Sequence, residues 1–223
     1  MKLQLFTSTC QLCNKRISLS SNIFCTECFG HLPKTHFQFT ETNIIKEKLK
    51  GILKLAYSGA FLYYAENNMV RQILWEMKYN QNGYIAFELG KMAGEVNKST
   101  IQQHIDIIIP IPLHPTKEKI RGYNQTELFG QGLSAATNIP IHTEVLKRRK
   151  NTISQTKFSR DDRFQNVAQA FEVQHKMTLQ DKRVLLIDDV ITTGATLSSA
   201  AILLCEQNIK SMNIFCLASA FEI

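Results

Sequence analysis

The 223-residue sequence predicts an α/β fold in which a parallel-sheet domain follows a small cysteine-rich unit at the amino terminus. Three observations support this prediction. Apolar, β-favouring runs without alternation, such as residues 107–109 and 184–187, are typical of strands buried on both faces. Apolar residues at helical spacing lie between such runs, as expected of βαβ units with right-handed crossovers. Two Cys-x-x-Cys pairs precede all of these elements.

The two cysteine pairs, Cys10/Cys13 and Cys25/Cys28, are separated by eleven residues. Each pair can turn two sulfurs toward one point, and four thiolates suit a tetrahedral, structural Zn²⁺ ion. The loop between the pairs has too few apolar residues for a core, so bound metal would supply the folding energy. Two alternatives are weaker: a redox Cys-x-x-Cys usually lies beside a βαβ pattern, and disulfides conflict with a reducing cytoplasm.

The chain is expected to divide near residue 40. Residues 1–40 would form the four-cysteine zinc finger and a polar linker, and residues 41–223 the sheet domain. A first strand is predicted near residues 60–64, and two helices with apolar stripes follow it. Lys78 and Tyr79 lie between these helices, and the pattern alone assigns them no chemistry. Two later cysteines are expected to be small core residues, Cys205 and Cys216.

Composition limits the classes of function. The formal net charge of +7 permits nucleic-acid or phosphate binding without proving it. No run of about 18 apolar residues occurs, so no membrane insertion is expected. The residues before the first cysteine are too few for a signal peptide, which predicts a cytoplasmic location. The motif G-x-x-x-x-G-K-[ST] does not occur, which argues against a P-loop nucleotidase.

The second predicted strand, residues 105–112, ends in two prolines and is followed by basic residues. Lys117, Lys119 and Arg121 would offer counter-charges to a pyrophosphate at the end of a parallel strand, a usual place for a ligand. Asn124 is expected to cap the helix that follows. The alternative is a solvated loop that simply closes the strand.

A short strand is expected at residues 141–146, and a strongly basic segment follows it. Seven basic residues against two aspartates give residues 147–163 a net charge of +5. A long basic loop of this kind is often a lid or a binding loop, and the alternative is a disordered surface loop. Phe158, Phe164 and Phe171 could stack on the bases of a single strand or belong to the core. The candidate nucleic-acid-binding residues are Lys147, Arg148, Arg149, Lys150, Lys157, Arg160 and Arg163.

The last predicted βαβ unit is the most informative stretch. The strand 184–187 ends in Asp188 and Asp189, a Thr/Gly loop follows, and an amphipathic helix leads to a strand near residues 212–220. Ligands bind beyond the carboxyl ends of such strands, and the free N–H groups at a helix start favour an anion. The loop therefore suits a monophosphate and the carboxylates a vicinal diol, which ribose 5-phosphate combines. The alternative is an acidic strand end before an ordinary turn.

This stretch resembles the phosphoribosyl-pyrophosphate (PRPP) signature of type I phosphoribosyltransferases. The resemblance implies a type I phosphoribosyltransferase-like parallel-sheet domain with the small N-terminal zinc finger attached. It also implies that Asp188 and Asp189 hold the ribose hydroxyls. By the same resemblance, the 5-phosphate is held by the loop residues Thr192, Thr193, Gly194, Ala195 and Thr196.

Motifs along nearly the whole chain resemble the ComF family of bacterial competence proteins, which includes GntX-like members. They are the four-cysteine finger, Lys78-Tyr79, Pro110-Ile-Pro112-Leu-His114-Pro115, Arg121-Gly-Tyr-Asn-Gln125, Arg149, Gln155, Arg163, Asn166-Val167, Ala170-Phe171 and the PRPP signature. The chain departs from the family pattern at Thr116, Lys117 and Lys119, where arginine is usual. Lysine offers a point charge instead of a bidentate fork, which weakens the pyrophosphate assignment.

The ComF resemblance implies PRPP binding with Mg²⁺ and a role in the uptake and processing of single-stranded DNA during natural transformation. Two functions follow from it. In the favoured one, the chain binds PRPP and single-stranded DNA, and the DNA-uptake machinery, a helicase or a channel, is a further expected partner. In the other, it transfers phosphoribose from PRPP to a nitrogen nucleophile and releases pyrophosphate. The sequence identifies no catalytic residue for that transfer.

Overall fold

The computed structural model describes residues 8–17, 23–80, 82–148 and 170–221. Its strands in chain order are β1 (Ser8–Thr9), β2 (Arg16–Ile17), β3 (Leu55–Tyr63), β4 (Ile107–Pro110), β5 (Leu146–Arg148), β6 (Phe171–Val173), β7 (Arg183–Ile191) and β8 (Ser211–Ser219). Its α-helices are α1 (Thr26–Gly30), α2 (Ile44–Leu49), α3 (Met69–Tyr79), α4 (Gly83–His104), α5 (Pro115–Arg121), α6 (Gln125–Thr137) and α7 (Ala195–Cys205). A 3₁₀ helix spans Lys176–Leu179.

The centre of the fold is a four-stranded sheet in the order β3-β8-β7-β4. Every pair of neighbouring strands in it is parallel. The carboxyl ends of all four strands therefore meet at one edge of the sheet. This arrangement is the one that the unbroken apolar runs predicted, and it confirms the α/β fold class.

Helices cover both faces of the sheet. Alternate residues of β7 point to opposite faces, so Leu185 and Ile187 pack with α4 and α6, whereas Val184 and Leu186 pack with α2 and α7. Burial on both faces accounts for an apolar run without alternation.

Helices α4 and α6 approach each other closely because glycines face the contact. A Cβ atom at Gly90 would overlap the carbonyl of Phe129, and one at Gly132 would overlap the carbonyl of Phe87. Only glycine permits so short a distance between two helix backbones. This packing fixes α6 against the sheet and places its first turn at the carboxyl end of β7.

Residues 31–43 differ from the polar linker that the sequence predicted. Phe39 is buried, and its amide donates to the Asn97 side chain on α4 at 3.0 Å. Thr40 forms an isolated antiparallel bridge with Ser58 of β3. The segment therefore packs along the edge strand, because its few aromatic residues find apolar partners that the local sequence does not reveal.

Strand β7 is longer than its apolar run. Its ladder with β8 continues through the pair Asp188–Cys216 to the pair Ile191–Ser219, so both aspartates lie within the strand and not after it. Cys216 is buried, as predicted. Cys205 is exposed, which corrects the predicted core position, because it is the last residue of α7.

Two predicted connections also differ from the structure. The basic residues after β4 lie on the short helix α5, whose start is capped by the His114 ring as it accepts from the Thr116 amide at 3.3 Å. The strand expected from residue 141 begins only at Leu146, and Ile141 makes an isolated parallel bridge to Ile108. Across the described ranges, we find no helix with the length and hydrophobicity needed to span a bilayer.

Candidate functional site

The candidate site is built around Asp188 and Asp189, called the acid pair below, at the carboxyl end of β7. The first turn of α6 faces them. Thr126 Oγ1 donates to Asp188 Oδ1 at 3.4 Å, and Gln125 Nε2 donates to Asp189 Oδ2 at 2.8 Å. Asn124 caps this turn by accepting from the Thr126 amide at 3.0 Å. Both carboxyl groups are therefore held by side chains whose own positions are fixed.

Lys78 is a site residue that the local sequence pattern did not reveal. Its ammonium lies 2.8 Å from Asp189 Oδ2, and the two side chains are only 26% and 14% exposed. The lysine is the penultimate residue of α3, and the Tyr123 hydroxyl donates to the neighbouring Met77 carbonyl at 2.6 Å. The one available signal was the Lys78-Tyr79 motif of the ComF resemblance, which carried no chemical role.

The two carboxyl groups of the acid pair have opposite pKa shifts. Burial and the adjacent Asp189 carboxylate raise the pKa of Asp188 to about 8. Burial also disfavours ionisation of Asp189, but the Lys78 ammonium and the Gln125 amide outweigh it and lower the pKa of Asp189. Near neutral pH, one carboxylate therefore faces one ammonium, and Asp188 can donate as well as accept a hydrogen bond.

The Thr/Gly loop, residues 192–196, follows β7 directly and leads into α7. Gly194 has φ 77°, and a Cβ atom there would lie 2.6 Å from Leu49 Cδ2, so only glycine fits. It is also the cap residue of α7 and has no side chain to accept a hydrogen bond, while the neighbouring Thr193 Oγ1 accepts from the Ala195 amide at 3.4 Å. The first turn thus presents N–H donors beside two exposed threonines, Thr192 and Thr193. Such a turn can bind an anion.

The basic helix α5 is connected to the acid pair through one residue. Arg121 Nη1 donates to Gln125 Oε1 at 2.5 Å, and the same Gln125 amide donates to Asp189. Lys117 and Lys119 lie on the exposed surface of α5. The structure therefore brings Arg121 to the acid pair, whereas the two lysines point to solvent.

Only the beginning of the basic segment lies among the described residues. Lys147 and Arg148 are on β5, where Lys147 pairs with Glu144 and the Arg148 guanidinium lies 5.5 Å from the centre of the Phe171 ring. Phe171 is buried, so it belongs to the core. The remaining predicted residues fall outside the described ranges, namely Arg149, Lys150, Lys157, Phe158, Arg160, Arg163 and Phe164.

A cleft of about 160 Å³ lies at the carboxyl end of β4. Its polar lining includes Glu118, Glu127 and Glu144 together with Lys147 and Arg148. Burial and the nearby Glu118 raise the pKa of Glu127. Carboxyl groups of this kind can accept hydrogen bonds from the N–H groups of a small molecule.

The four amino-terminal cysteines form a cluster that could hold a metal ion. Their sulfur atoms all lie within 4.8 Å of one another, and Cys13 Sγ is 3.6 Å from Cys25 Sγ. Tetrahedral Zn²⁺ with Zn–S bonds of about 2.3 Å needs sulfurs about 3.8 Å apart, so the arrangement fits zinc. Burial would raise the pKa of Cys10, but backbone hydrogen bonds from Cys13 and Cys25 lower it to about 6, which favours the thiolate.

The cysteine cluster is in contact with the sheet domain. Cys10 is buried in the same apolar cluster as residues of α3 and α4. Asn82, which precedes α4, donates to the Gln11 side chain at 2.6 Å. All six cysteines of the chain are free thiols. The predicted division at residue 40 remains a prediction.

Comparison with known proteins adds independent information. Residues 133–221 match the family profile described as "Phosphoribosyl transferase domain". This match includes the acid pair and the Thr/Gly loop, and together with the parallel sheet it confirms the predicted type I phosphoribosyltransferase-like fold class.

Three relatives illustrate the similarity. The chain is 40% identical over 116 residues to "Competence protein F" of Haemophilus influenzae, and the matched stretch covers 52% of this chain and 51% of that protein. It is 28% identical over 149 residues to "DNA utilization protein YhgH" of Escherichia coli O157:H7, and the matched stretch covers 65% of each chain. It is 25% identical over 200 residues to "Competence protein ComFC" of Bacillus subtilis, and the matched stretch covers 89% of this chain and 78% of that protein. The matched part thus spans about half of competence protein F and less than two thirds of YhgH.

Proposed function

We propose that this chain, a homologue of competence protein F, ComFC and YhgH with a phosphoribosyltransferase domain, binds PRPP and acts on single-stranded DNA during natural transformation. One observation carries the first half of the proposal. Two adjacent carboxyl groups lie near the end of a buried parallel strand, and a short loop joins that strand to a helix start whose cap residue, Gly194, has no side chain. That arrangement suits a sugar that bears both a vicinal diol and a phosphate.

In the proposed complex, the acid pair accepts hydrogen bonds from the 2- and 3-hydroxyls of the ribose. Thr192, Thr193 and the amides from Gly194 to Thr196 hold the 5-phosphate. Arg121 offers a cation to the pyrophosphate, and Lys117 and Lys119 add charge from the surface of α5. Mg²⁺ would neutralise part of the pyrophosphate charge. Lys78 keeps Asp189 ionised in the absence of ligand, so the pair is ready to accept.

Isothermal titration calorimetry with PRPP, with and without Mg²⁺, tests this half of the proposal. We expect Mg²⁺-dependent binding by the wild-type chain and a loss of at least about tenfold in affinity for Asp189→Asn, because a charged acceptor is removed. Asp181→Asn is the matched control. Asp181 is exposed and has φ 55°, which asparagine tolerates. Equal affinity in both variants would refute the assignment.

The second half of the proposal concerns DNA. The names of the relatives, competence protein and DNA utilization protein, support a role in DNA handling. We propose that the basic segment 147–163 contributes to binding a single strand, and that the chain meets a helicase or channel of the uptake machinery in the cytoplasm.

Fluorescence anisotropy with a labelled single strand at several salt concentrations tests DNA binding. We expect affinity to fall steeply with salt, because each phosphate contact releases counterions. Replacing Lys157, Arg160 and Arg163 by glutamine should weaken binding and flatten the salt dependence. Absence of binding at low salt would refute this half alone and leave PRPP binding standing.

Phosphoribosyl transfer is the alternative function. In it, the bond from ribose C1 to the pyrophosphate oxygen breaks, a bond from C1 to a nitrogen nucleophile forms, and that nitrogen loses a proton. The cleft beside β4 favours this alternative, because its glutamates could orient an N–H group. Pyrophosphate release from PRPP with a panel of nitrogen bases tests it. No release above background would leave the chain as a PRPP-binding protein.

A further inference from the structure

Helix α3 carries two large aromatic side chains on its solvent-exposed face. Trp75, the only tryptophan in the sequence, is 50% exposed, and Tyr79 is 66% exposed. They are four residues apart and therefore share one face of the helix, with ring centroids 6.0 Å apart. Neither ring belongs to the core, because the buried side of α3 consists of Val70, Ile73, Leu74 and Met77.

Basic side chains flank these rings at both ends. Arg71, one turn before Trp75, is exposed, and its guanidinium donates to the Glu66 carbonyl at 3.2 Å. At the other end, the Arg121 guanidinium lies 5.9 Å from the centre of the Tyr79 ring. The single acidic residue of α3, Glu76, accepts from the Asn80 amide at 2.9 Å. Two aromatic faces thus lie between two cations along one surface, called the aromatic strip below, which consists of Arg71, Trp75, Tyr79 and Arg121.

We propose that the aromatic strip is a stacking platform for the bases of single-stranded nucleic acid. Exposed aromatic faces stack on any base, and neighbouring cations neutralise the phosphates. The charge favours this occupant over an apolar protein surface, because a protein partner would have to desolvate two guanidinium groups. A duplex hides its base faces, so the platform selects single strands. This inference rests on the proposed binding of single-stranded DNA and adds residues that lie outside the basic segment in the sequence.

The aromatic strip borders the acid pair. Lys78 lies between Trp75 and Tyr79 in the sequence, and its ammonium contacts Asp189. Arg121 donates a hydrogen bond to Gln125, which in turn donates one to Asp189. A strand on the platform therefore passes next to the proposed PRPP site. Bound PRPP and a bound strand would share Arg121, so each is expected to change the affinity for the other.

The single tryptophan allows a direct test. An oligothymidylate of about 16 nucleotides, titrated at low salt, should quench the fluorescence of Trp75 with the same midpoint as the anisotropy of a labelled strand. Trp75→Ala should weaken binding about tenfold, because one base loses its stacking partner. Trp75→Phe should keep most of the affinity, because the phenyl ring can still stack on that base. Met177→Ala, which removes a side chain that is 77% exposed, is the control and should bind like the wild type.

The outcomes separate the two proposals. If the wild-type chain binds no single strand, single-stranded DNA binding itself fails. If it binds but Trp75 fluorescence is unchanged and Trp75→Ala binds equally well, the platform is refuted and the proposed function stands. Equal binding and quenching by a duplex of the same sequence would also overturn the platform, because its base faces are not accessible.

Discussion

The Lys78 ammonium lies 2.8 Å from the Asp189 carboxylate, although α3 and β7 are far apart in the sequence. This contact joins the end of a helix to the carboxyl end of a central strand. It accounts for the lowered pKa of Asp189, and the ionised Asp189 in turn contributes to the raised pKa of Asp188. The acid pair is therefore set to one negative charge before any ligand arrives.

Removing this ammonium should destabilise the fold. In Lys78→Met, Asp189 would remain partly buried without its counter-charge, so we expect the free energy of unfolding near pH 7 to fall by about 1–3 kcal/mol. Urea denaturation measures the loss. In an Asp189→Asn background, the same lysine substitution should cost much less, because the uncompensated charge is gone. Equal losses in both backgrounds would show that Lys78 acts through packing alone.

The raised pKa of Asp188 predicts a pH dependence of stability. The folded chain holds this proton up to about pH 8, whereas an unfolded aspartate releases it near pH 4. The folded state binds the extra proton between these values, so the contribution of Asp188 to stability falls as pH rises through this window. Asp188→Asn removes the charge and keeps an oxygen for the Thr126 hydroxyl.

We therefore expect Asp188→Asn to exceed the wild type in stability by on the order of 2 kcal/mol near pH 8.5, with a smaller advantage near pH 5. Urea denaturation of both proteins at the two pH values measures the difference. An advantage that does not change with pH would mean that Asp188 ionises normally in the folded chain.

The Thr/Gly loop depends on Gly194 for both conformation and space. In Gly194→Ala, the alanine backbone would be held at φ 77° and its Cβ atom would lie 2.6 Å from Leu49 Cδ2. We therefore expect the free energy of unfolding to fall by about 1–3 kcal/mol and PRPP binding to weaken. Gly51→Ala is the matched control, because Gly51 has φ 88° and no atom within 4 Å of its Cβ position. Thermal melting and calorimetry with PRPP measure both effects. If the control lost as much PRPP affinity, the loop would have no specific role.

Structural zinc in the cysteine cluster is the fourth prediction. Elemental analysis should find one Zn²⁺ per chain, and a strong chelator should lower the melting temperature, because metal binding and folding are coupled. Cys13→Ser should lose the ion, whereas Cys205→Ser, which changes an exposed thiol outside the cluster, should keep it. A chain that is purified without metal and melts at the same temperature with chelator would exclude this role.

Local chemistry is enough to predict some of these features from the sequence. The apolar runs before Pro110 and Asp188 predicted β4 and β7, because burial on both faces leaves a recognisable pattern. The runs near residues 60–64 and 212–220 predicted β3 and β8. The N-cap at Asn124 follows from its side-chain chemistry, and the cysteine spacing led directly to the sulfur cluster.

Long-range contacts could not be predicted in this way. Lys78 comes directly after the last apolar residue of α3, where the sequence pattern does not distinguish it from a solvated lysine. Only the folded chain brings its ammonium to Asp189. The burial of Phe39 depends on the neighbouring α4 and β3, which the segment 31–43 does not encode. Strand β7 runs past its apolar residues because the ladder with β8 continues, and side-chain patterns do not report backbone pairing.

The most direct test of the account is a crystal structure of the chain with PRPP and Mg²⁺. We predict that the 5-phosphate contacts the amides at the start of α7, that the 2- and 3-hydroxyls lie within hydrogen-bonding distance of Asp188 and Asp189, and that the pyrophosphate lies near Arg121. A ligand held elsewhere, with no phosphate at Gly194 and no ribose hydroxyl near Asp188 or Asp189, would contradict the central claim.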